Sequence, residues 1–528
     1  MEEIGLLKSE IEAHPENAEK LYAYGFLYSE TKFDVDKYPF YGMWNVECIC
    51  PEGEKNGYLF THRKARHYIK KADNKTFALI GHALNPFTKE HDELLILKKL
   101  ADCTNNDDFL NYFNQLTGVF TLLVFENSAM RIYGDPTGMQ TTYYGVLNGN
   151  RYVSSHIKLL GDVLNLEDSA YIKRLVNYKY YPLLGAALPG DYTNYDEFKR
   201  VIPNNFVELT NSVRIERFYE PERLQKSIDD IANEVYEILK TTLDLIAKKW
   251  DRPAISLTGG CDSKTTLACA NGSYEKFSYF SYVSSEEENV DAEAARKICN
   301  KIGIPHTVYK ISDDDSDFDA LSCHNAILYR NTGSTRKINQ NDLRKRCYFS
   351  SISDFDVEVK SWCSEIGRAY FSKRFNGRKK FGKITPRKCT TLYKFFLHDR
   401  RLVRDTDKIF KEYISRYMNA AKYTESSIEW QEKFFWEFRM SAWNGNVITG
   451  EHKYSFDITI PYNNRMLLQL LLSVPIEERI SDELYRKTRM LANDKIEKIN
   501  VSVTNVKHTN KRAKMENLYY MLHSKFPF

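Results

Sequence analysis

The residues best suited to chemistry stand together in Ala254-Ile255-Ser256-Leu257-Thr258-Gly259-Gly260-Cys261-Asp262-Ser263-Lys264-Thr265-Thr266-Leu267-Ala268. Ile255 and Leu257 alternate as in a short buried strand, two glycines make a tight turn, and a helix begins behind them. Gly259 and Gly260 can adopt positive φ and let backbone N–H groups come close to a ligand. Thr258, Asp262, Ser263, Thr265 and Thr266 surround the turn with short oxygen-bearing side chains. Unpaired N–H groups at a helix start, with the helix dipole behind them, favour an anion of the phosphate type. The alternative is a strand–turn–helix whose small residues serve packing only.

The spacing is neither that of the Walker loop nor the dinucleotide Gly-x-Gly-x-x-Gly. It resembles the pyrophosphate loop of the ATP pyrophosphatases, Ser-Gly-Gly-x-Asp-Ser, with Thr258 in place of the first Ser. Those enzymes cleave ATP between the α and β phosphates, so the resemblance implies a loop that grips the leaving pyrophosphate.

The elements around the loop agree with a nucleotide site. Leu224 to Trp250 carries Ile228, Ile231, Val235, Ile238, Leu239, Leu243 and Ile246 at helical spacing. Phe277 to Tyr282 is a second strand, Asp291 to Ile302 a helix and Ile304 to Lys310 a third strand. Such alternation predicts a parallel sheet covered on both faces, with ligands bound beyond the strand C-termini. From about Asp314 the pattern is mostly helical. Trp430, Phe434, Phe435 and Phe438 form an aromatic stripe read as core, and Leu467 to Leu472 is a core helix segment.

At 528 residues the chain is too long for one core, and two or three domains are expected. A hydrophobic share of 42% with 28% charged residues fits a globular protein, and a net charge of +4 gives no sign of a nucleic-acid partner. No apolar run approaches the roughly 20 residues of a membrane span. The ten cysteines show no Cys-x-x-Cys pair, and Met1-Glu2-Glu3-Ile4 is unlike a signal or transit peptide, so the expectation is a cytoplasmic protein with reduced thiols. A basic concentration (Lys373, Arg374, Arg378, Lys379, Lys380, Lys383, Arg387, Lys388, Arg400, Arg401, Arg404) reads either as a solvated face or as a surface for an anionic substrate.

Residues 1 to about 40 read as an amphipathic helix and a polar lead-in. From Trp44 to about Ile215 short strands dominate: Val119 to Phe125, Met130 to Tyr133, Thr141 to Gly145, then a hairpin at Asn148-Gly149-Asn150 before Tyr152 to Ser155. Leu116-Thr117-Gly118-Val119-Phe120, Gly134-Asp135-Pro136-Thr137-Gly138-Met139-Gln140-Thr141-Thr142-Tyr143-Tyr144 and Ser154-Ser155-His156-Ile157-Lys158-Leu159-Leu160 resemble segments of the glutaminase domain of class II amidotransferases in its asparagine synthetase form. Active members use an N-terminal Cys as nucleophile and base. Position 2 here is Glu2, and Cys48 and Cys50 lie deep in the chain. The expectation is a glutaminase-like scaffold without glutaminase chemistry.

The second half is similar to the synthetase domain of the asparagine synthetase family, which includes β-lactam synthetases and lasso-peptide cyclases. The resemblance implies an α/β chain of two domains. Residues 1–218 would be a degenerate αββα sandwich of the Ntn-hydrolase type, and residues 219–528 an adenine-nucleotide α-hydrolase-like parallel-sheet domain with a helical C-terminal part. It also implies ATP and Mg²⁺: a carboxylic acid attacks the α-phosphorus, pyrophosphate leaves, and ammonia or an amine displaces AMP. Thr258, Gly259, Gly260, Asp262 and Ser263 would cradle pyrophosphate, with Asp262 also a metal ligand. Phe280 and Ser281 would lie beside adenine or ribose. Val359-Lys360-Ser361-Trp362-Cys363-Ser364-Glu365-Ile366-Gly367-Arg368-Ala369-Tyr370 stands where the family has Ser-Gly-x-Gly-x-Asp-Glu-x-x-x-Gly-Tyr, leaving Glu365 as the candidate metal ligand and speaking against aspartate as the acid.

Trp362 and Arg368 read as substrate-pocket changes or as ordinary packing and surface residues. Phe456 to Arg465 resembles the family's "R-x-P-F-L-D" segment. Tyr485 to Leu491 resembles its late helix, in which Lys487 would neutralise charge on the phosphorus and pyrophosphate. Arg439 either lines the acceptor site or is a solvated helix residue. A homodimer fits the same family. Two other readings stay open: a related enzyme acting on another acceptor, as in sulfur insertion or tRNA modification, and an ATP-binding assembly protein that has lost both activities.

Overall fold

The computed structural model describes residues 2–49, 56–72, 74–181, 187–333, 338–375, 381–393, 397–418, 427–499, 501 and 510–525. The first half is built on two six-stranded antiparallel sheets. The strands are β1 (Phe26–Ser29), β2 (Trp44–Ile49), β3 (Gly57–His62), β4 (His67–Ala72), β5 (Lys75–Leu84), β6 (Thr117–Glu126), β7 (Ala129–Gly134), β8 (Tyr143–Leu147), β9 (Asn150–Ser154), β10 (Lys199–Arg200), β11 (Asn205–Leu209) and β12 (Val213–Arg217). One sheet runs β10-β8-β9-β1-β3-β2 and the other β12-β11-β7-β6-β5-β4.

Four layers follow from where the apolar side chains point. Phe26, Tyr28 and Val153 of the first sheet meet Ile80, Leu123 and Ile132 of the second in a shared core. The outer face of the second sheet packs Phe77, Leu79 and Leu122 on helices α2 (Glu93–Ala101) and α3 (Asn106–Asn114). The outer face of the first packs on α1 (Glu2–Ala13) and α4 (Ile157–Leu164) through Leu7, Ile11, Leu159 and Leu160. This is an αββα sandwich. The hairpin at Asn148-Gly149 is present, with φ of 52° and 72° at its two central residues as a primed turn requires. Residues 26–29, expected within a polar lead-in, are instead an inner strand of the first sheet, wholly buried between β9 and β3.

The second half centres on a five-stranded, wholly parallel sheet of order β15-β14-β13-β16-β17. Its strands are β13 (Pro253–Ser256), β14 (Ser278–Val283), β15 (Thr307–Lys310), β16 (Val357–Val359) and β17 (Asp457–Thr459). The long helix α5 (Ile228–Lys249) enters four residues later than its apolar pattern suggested, because Ser227 caps it by accepting from Asp230 N. Its buried face is the expected one, including Ile231, Val235, Leu239, Leu243 and Ile246. Helix α6 (Cys261–Cys269) follows β13, and α7 (Glu286–Ile302) follows β14, beginning earlier than expected because Ser285 caps a first turn of three glutamates. Further on lie α8 (Leu321–Asn331), a π-helix over Phe435–Thr449, α9 (Arg465–Ser473) and α10 (Glu483–Glu497).

The halves are joined by the turn at 134–142. The fully buried Asp135 carboxylate accepts from Thr137 N (3.1 Å), Met139 N (3.0 Å), Gln140 N (2.6 Å) and, from the other half, Asn463 Nδ2 (2.9 Å). Asn464 donates to Gln115 O at 2.7 Å, Arg465 to Gly134 O at 3.0 Å, and Trp436 Nε1 to Pro136 O at 2.7 Å. The two segments that resemble motifs of different domains therefore face each other across this joint.

Cys48 is disulfide-bonded, so the expectation of reduced thiols fails there; Cys103, Cys261, Cys269, Cys299, Cys323, Cys347, Cys363 and Cys389 are free. Cys50 lies outside the described residues. Among the described residues, no helix is long and apolar enough to cross a membrane.

Candidate functional site

Strand β13 is the middle strand of the parallel sheet: the chain runs from it to β14 and β15 on one side, then crosses back to β16 and β17 on the other. Such a switch point leaves a crevice beyond the strand C-termini. The chain leaves β13 at Ser256, and Leu257 N still donates to Phe280 O at 2.8 Å. It then turns through Thr258-Gly259-Gly260 into α6, where Gly260 is the cap residue with φ −69° and ψ 161°. Neither glycine adopts the positive φ expected of it. A Cβ on Gly260 would meet Thr258 Oγ1 at 3.1 Å, so closeness to a hydroxyl constrains this position.

The cradle is closed on itself by hydroxyl groups. Gly260 N donates to Thr258 Oγ1 at 3.1 Å, Thr258 N to Ser263 Oγ at 3.2 Å, and Ser263 Oγ to Thr258 O at 3.0 Å. It opens on a cavity of about 350 Å³ whose lining includes Thr258, Asp262, Ser281, Lys360, Trp362 and Glu365. Gly260 and Ser263 line it too.

Charge is arranged in two layers. Asp262 accepts from Ser364 Oγ at 2.7 Å and from Arg368 Nη1 at 2.6 Å, and Arg368 also binds Asp482 at 2.9 and 3.0 Å. Burial, with the Asp262 charge added to it, pushes the Glu365 carboxyl up to about 7 against the pull of Arg368 and Arg439. In the same lining Lys360, directly after β16, is paired with Glu358 and donates to Ser256 Oγ at 3.3 Å. Burial opposes ionisation of Glu358, yet Lys360 and His452 beside it hold that carboxyl down to about 2.

The structure thus brings Thr258, Gly260, Asp262, Ser263, Ser281 and Glu365 to one cavity. Gly259 is buried within the turn. Phe280 is not at the cavity. Strand alternation turns its ring to the other face of the sheet, where it stacks on Phe355 at 4.9 Å within an aromatic core. Lys487 is not there either. It stands on the outer side of α10, paired with Asp229 at 2.5 Å. The cation the sequence reading missed is Lys360. Its signal was a lysine set directly after an apolar strand, two residues beyond a glutamate on the same face.

Three residues of the basic concentration are in ion pairs, Lys373 with Asp482, Arg374 with Glu516 and Arg387 with Asp407, while Lys383, Arg400, Arg401 and Arg404 are exposed. Arg378, Lys379 and Lys380 lie outside the described residues. Among the described residues no three His, Cys, Asp or Glu side chains converge as a preformed metal centre. Asp262 and Glu365 nevertheless face one cavity, where the Asp262 charge raises the cost of ionising Glu365. That pairing suits Mg²⁺, which is commonly held by one or two carboxylates together with substrate phosphates.

No protein-family model and no curated protein matches the chain. Among solved structures it is similar to glutamine phosphoribosylpyrophosphate amidotransferase from B. subtilis complexed with ADP and GMP, at 12% identity and a TM-score of 0.23, covering 69% of this chain and 74% of that one. It is also similar to a structure described as the allosteric regulatory enzyme of purine biosynthesis, at 12% identity and a TM-score of 0.24, covering 70% and 74%. The layering given above rests on the strand registers of the chain itself.

Proposed function

We propose that the protein is an ATP-dependent, AMP-forming amide ligase that activates a carboxylic acid and passes the acyl group to ammonia or an amine. The observation that carries this reading is the hydroxyl-lined turn after β13, sharing one cavity with Asp262, Lys360 and Glu365. In the first step an oxygen of the acid bonds to the α-phosphorus of ATP, the bond from that phosphorus to the bridging oxygen breaks, and pyrophosphate leaves. Thr258, Gly260 and Ser263 would bind the leaving group by exchanging their mutual hydrogen bonds for bonds to its oxygens. Lys360 would neutralise the charge gathered there, the role first assigned to Lys487. Ser281 would meet the nucleoside.

In the second step nitrogen attacks the acyl carbon, AMP departs with the electron pair of the broken C–O bond, and the nitrogen gives up a proton. Glu365, at the same cavity, would receive that proton. Mg²⁺ held between Asp262, Glu365 and the phosphates would supply charge neutralisation in the first step. Glutaminase activity is not part of the proposal. Strand β1 starts at Phe26 behind Gly25, so a peptide nitrogen stands where that chemistry needs a free amine.

A second reading, an ATP-binding assembly protein without catalysis, is favoured by one observation: both Asp262 oxygens are already engaged, by Ser364 and Arg368. Mg²⁺-dependent exchange of labelled pyrophosphate into ATP, measured across a panel of carboxylic acids, separates the two. Exchange with any acid supports the ligase. ATP binding with no exchange across the panel supports the second reading, and absence of ATP binding removes both.

A further inference from the structure

We infer that His306 is a positioning residue that selects the base of the nucleotide: it fixes the Ser281 hydroxyl so that Ser281 can only accept a hydrogen bond, and the ligand must bring a donor, the 6-amino group of adenine. The inference rests on the nucleotide reading of the cavity and deepens it by naming what the base must present.

A serine hydroxyl has one proton to give and two lone pairs with which to receive. Ser281, on β14, is buried and lines the cavity. Its Oγ donates to Leu257 O at 2.7 Å, and a carbonyl can only accept, so that proton is spent. The same Oγ lies 2.9 Å from His306 Nε2. With no proton left on the hydroxyl for this contact, Nε2 carries the hydrogen and donates.

The far side of the ring gives the same answer. Nδ1 is buried and, among the described residues, has no hydrogen-bonding partner. The other tautomer would put a hydrogen on Nδ1 where nothing accepts it, and an unpaired buried donor is costly. A doubly protonated ring meets the same objection, and burial lowers the His306 pKa to about 4. One lone pair of Ser281 is all that remains for a ligand.

The sheet dictates this contact. Phe280 pairs with Thr307 in the parallel register of β14 and β15, so Ser281 and His306, each one residue away, share the other face. His306 is not in the cavity lining and acts on the ligand through Ser281. The hydroxyls of the turn are not fixed in this way. Ser263 Oγ has Thr258 Oγ1 and Thr258 O both at 3.0 Å, so its proton has more than one place to go. Such hydroxyls can turn a proton towards phosphate oxygens, which only accept. The cavity thus holds adjustable hydroxyls at the phosphate turn and a fixed acceptor at β14. A ribose hydroxyl can give or take and gains little from a fixed acceptor. The amino group of adenine only gives, and the carbonyl oxygen of a 6-oxopurine would set lone pair against lone pair.

The test is calorimetric titration of the full chain with ATP and with ITP, in which a carbonyl replaces the 6-amino group, in the presence of Mg²⁺ and without an acid. ATP should bind about 10-fold or more tightly than ITP. Ser281→Ala, which removes the acceptor, should bring that ratio below about 3-fold. His306→Leu should do the same, because the freed hydroxyl can turn its proton to the carbonyl of ITP. His306→Gln, whose side-chain amide can donate in place of Nε2–H, should keep most of the preference. A ring that served packing alone would weaken both nucleotides alike when replaced. Equal binding of ATP and ITP by the wild-type chain, or an unaltered preference in His306→Leu or Ser281→Ala, would overturn the inference and leave the ligase reading in place. Binding of neither nucleotide by the wild-type chain would remove the ligase reading and the inference with it.

Discussion

Two aspartates follow strands at glycine-containing turns, and the structure treats them in opposite ways. Asp135 is fully buried and receives four protein donors, one of them from the other half of the molecule. Asp262 is half-buried, lines a cavity, and is held by a serine and by an arginine shared with Asp482. A carboxylate saturated by fixed backbone groups is a structural joint. One held by an arginine that has a second acid to bind can release its partner to a ligand. The difference between architecture and chemistry lies in who the partners are.

That contrast can be broken most forcefully at the joint. Asp135→Ala strands three backbone donors and Asn463 in a buried setting and should cost about 3–5 kcal/mol, read as a lowered midpoint in urea. A midpoint matching that of Asp262→Ala would erase the distinction. Next in size, Lys360→Met should lower pyrophosphate exchange by roughly two to three orders of magnitude, the usual effect of losing a charge-stabilising group, while Lys487→Met stays near wild type. The reverse ranking would return the catalytic role to the outer side of α10.

A smaller effect should appear in stability against pH. The folded-state pKa of Glu365 is raised from 4.5 to about 7, so between these values the folded chain holds a proton the unfolded chain has lost. Stability relative to Glu365→Gln should therefore fall as pH rises from about 4.5 to about 7 and level off above. A flat difference would show that the carboxyl is not desolvated. Smallest of all, Phe280→Leu should cost about 1–1.5 kcal/mol and leave ATP affinity unchanged, since the ring packs on Phe355 and not at the cavity.

The parts legible in sequence were those whose cause is local. The turn at Thr258 to Ser263, the hairpin at Asn148-Gly149 and the apolar face of α5 each announce themselves within a few residues. The three-residue strands β16 and β17 do not, because so short a run acquires its identity from its neighbours in the sheet. With β16 unseen, Lys360 had no wall to stand on, and a linear motif match passed the role to Lys487. Phe280 was misplaced for a related reason. Knowing that a strand ends near a site does not say which of two consecutive residues faces it, and Ser281 took the cavity side. Nor does any helical periodicity of the sequence declare the π-helix over Phe435–Thr449, whose spacing is i→i+5.

The stitching of Asn463, Asn464 and Arg465 into the turn at 134–142 has a consequence for how the chain persists. These three side chains are wholly buried, and they lie at the passage from β17 into the first residue of α9, with β17 pairing the strand that precedes Lys360. Stripping away residues 1–218 would leave an arginine and two amides facing water beside β17. The first half is therefore part of the folding unit of the second, and the molecule should melt as one cooperative body.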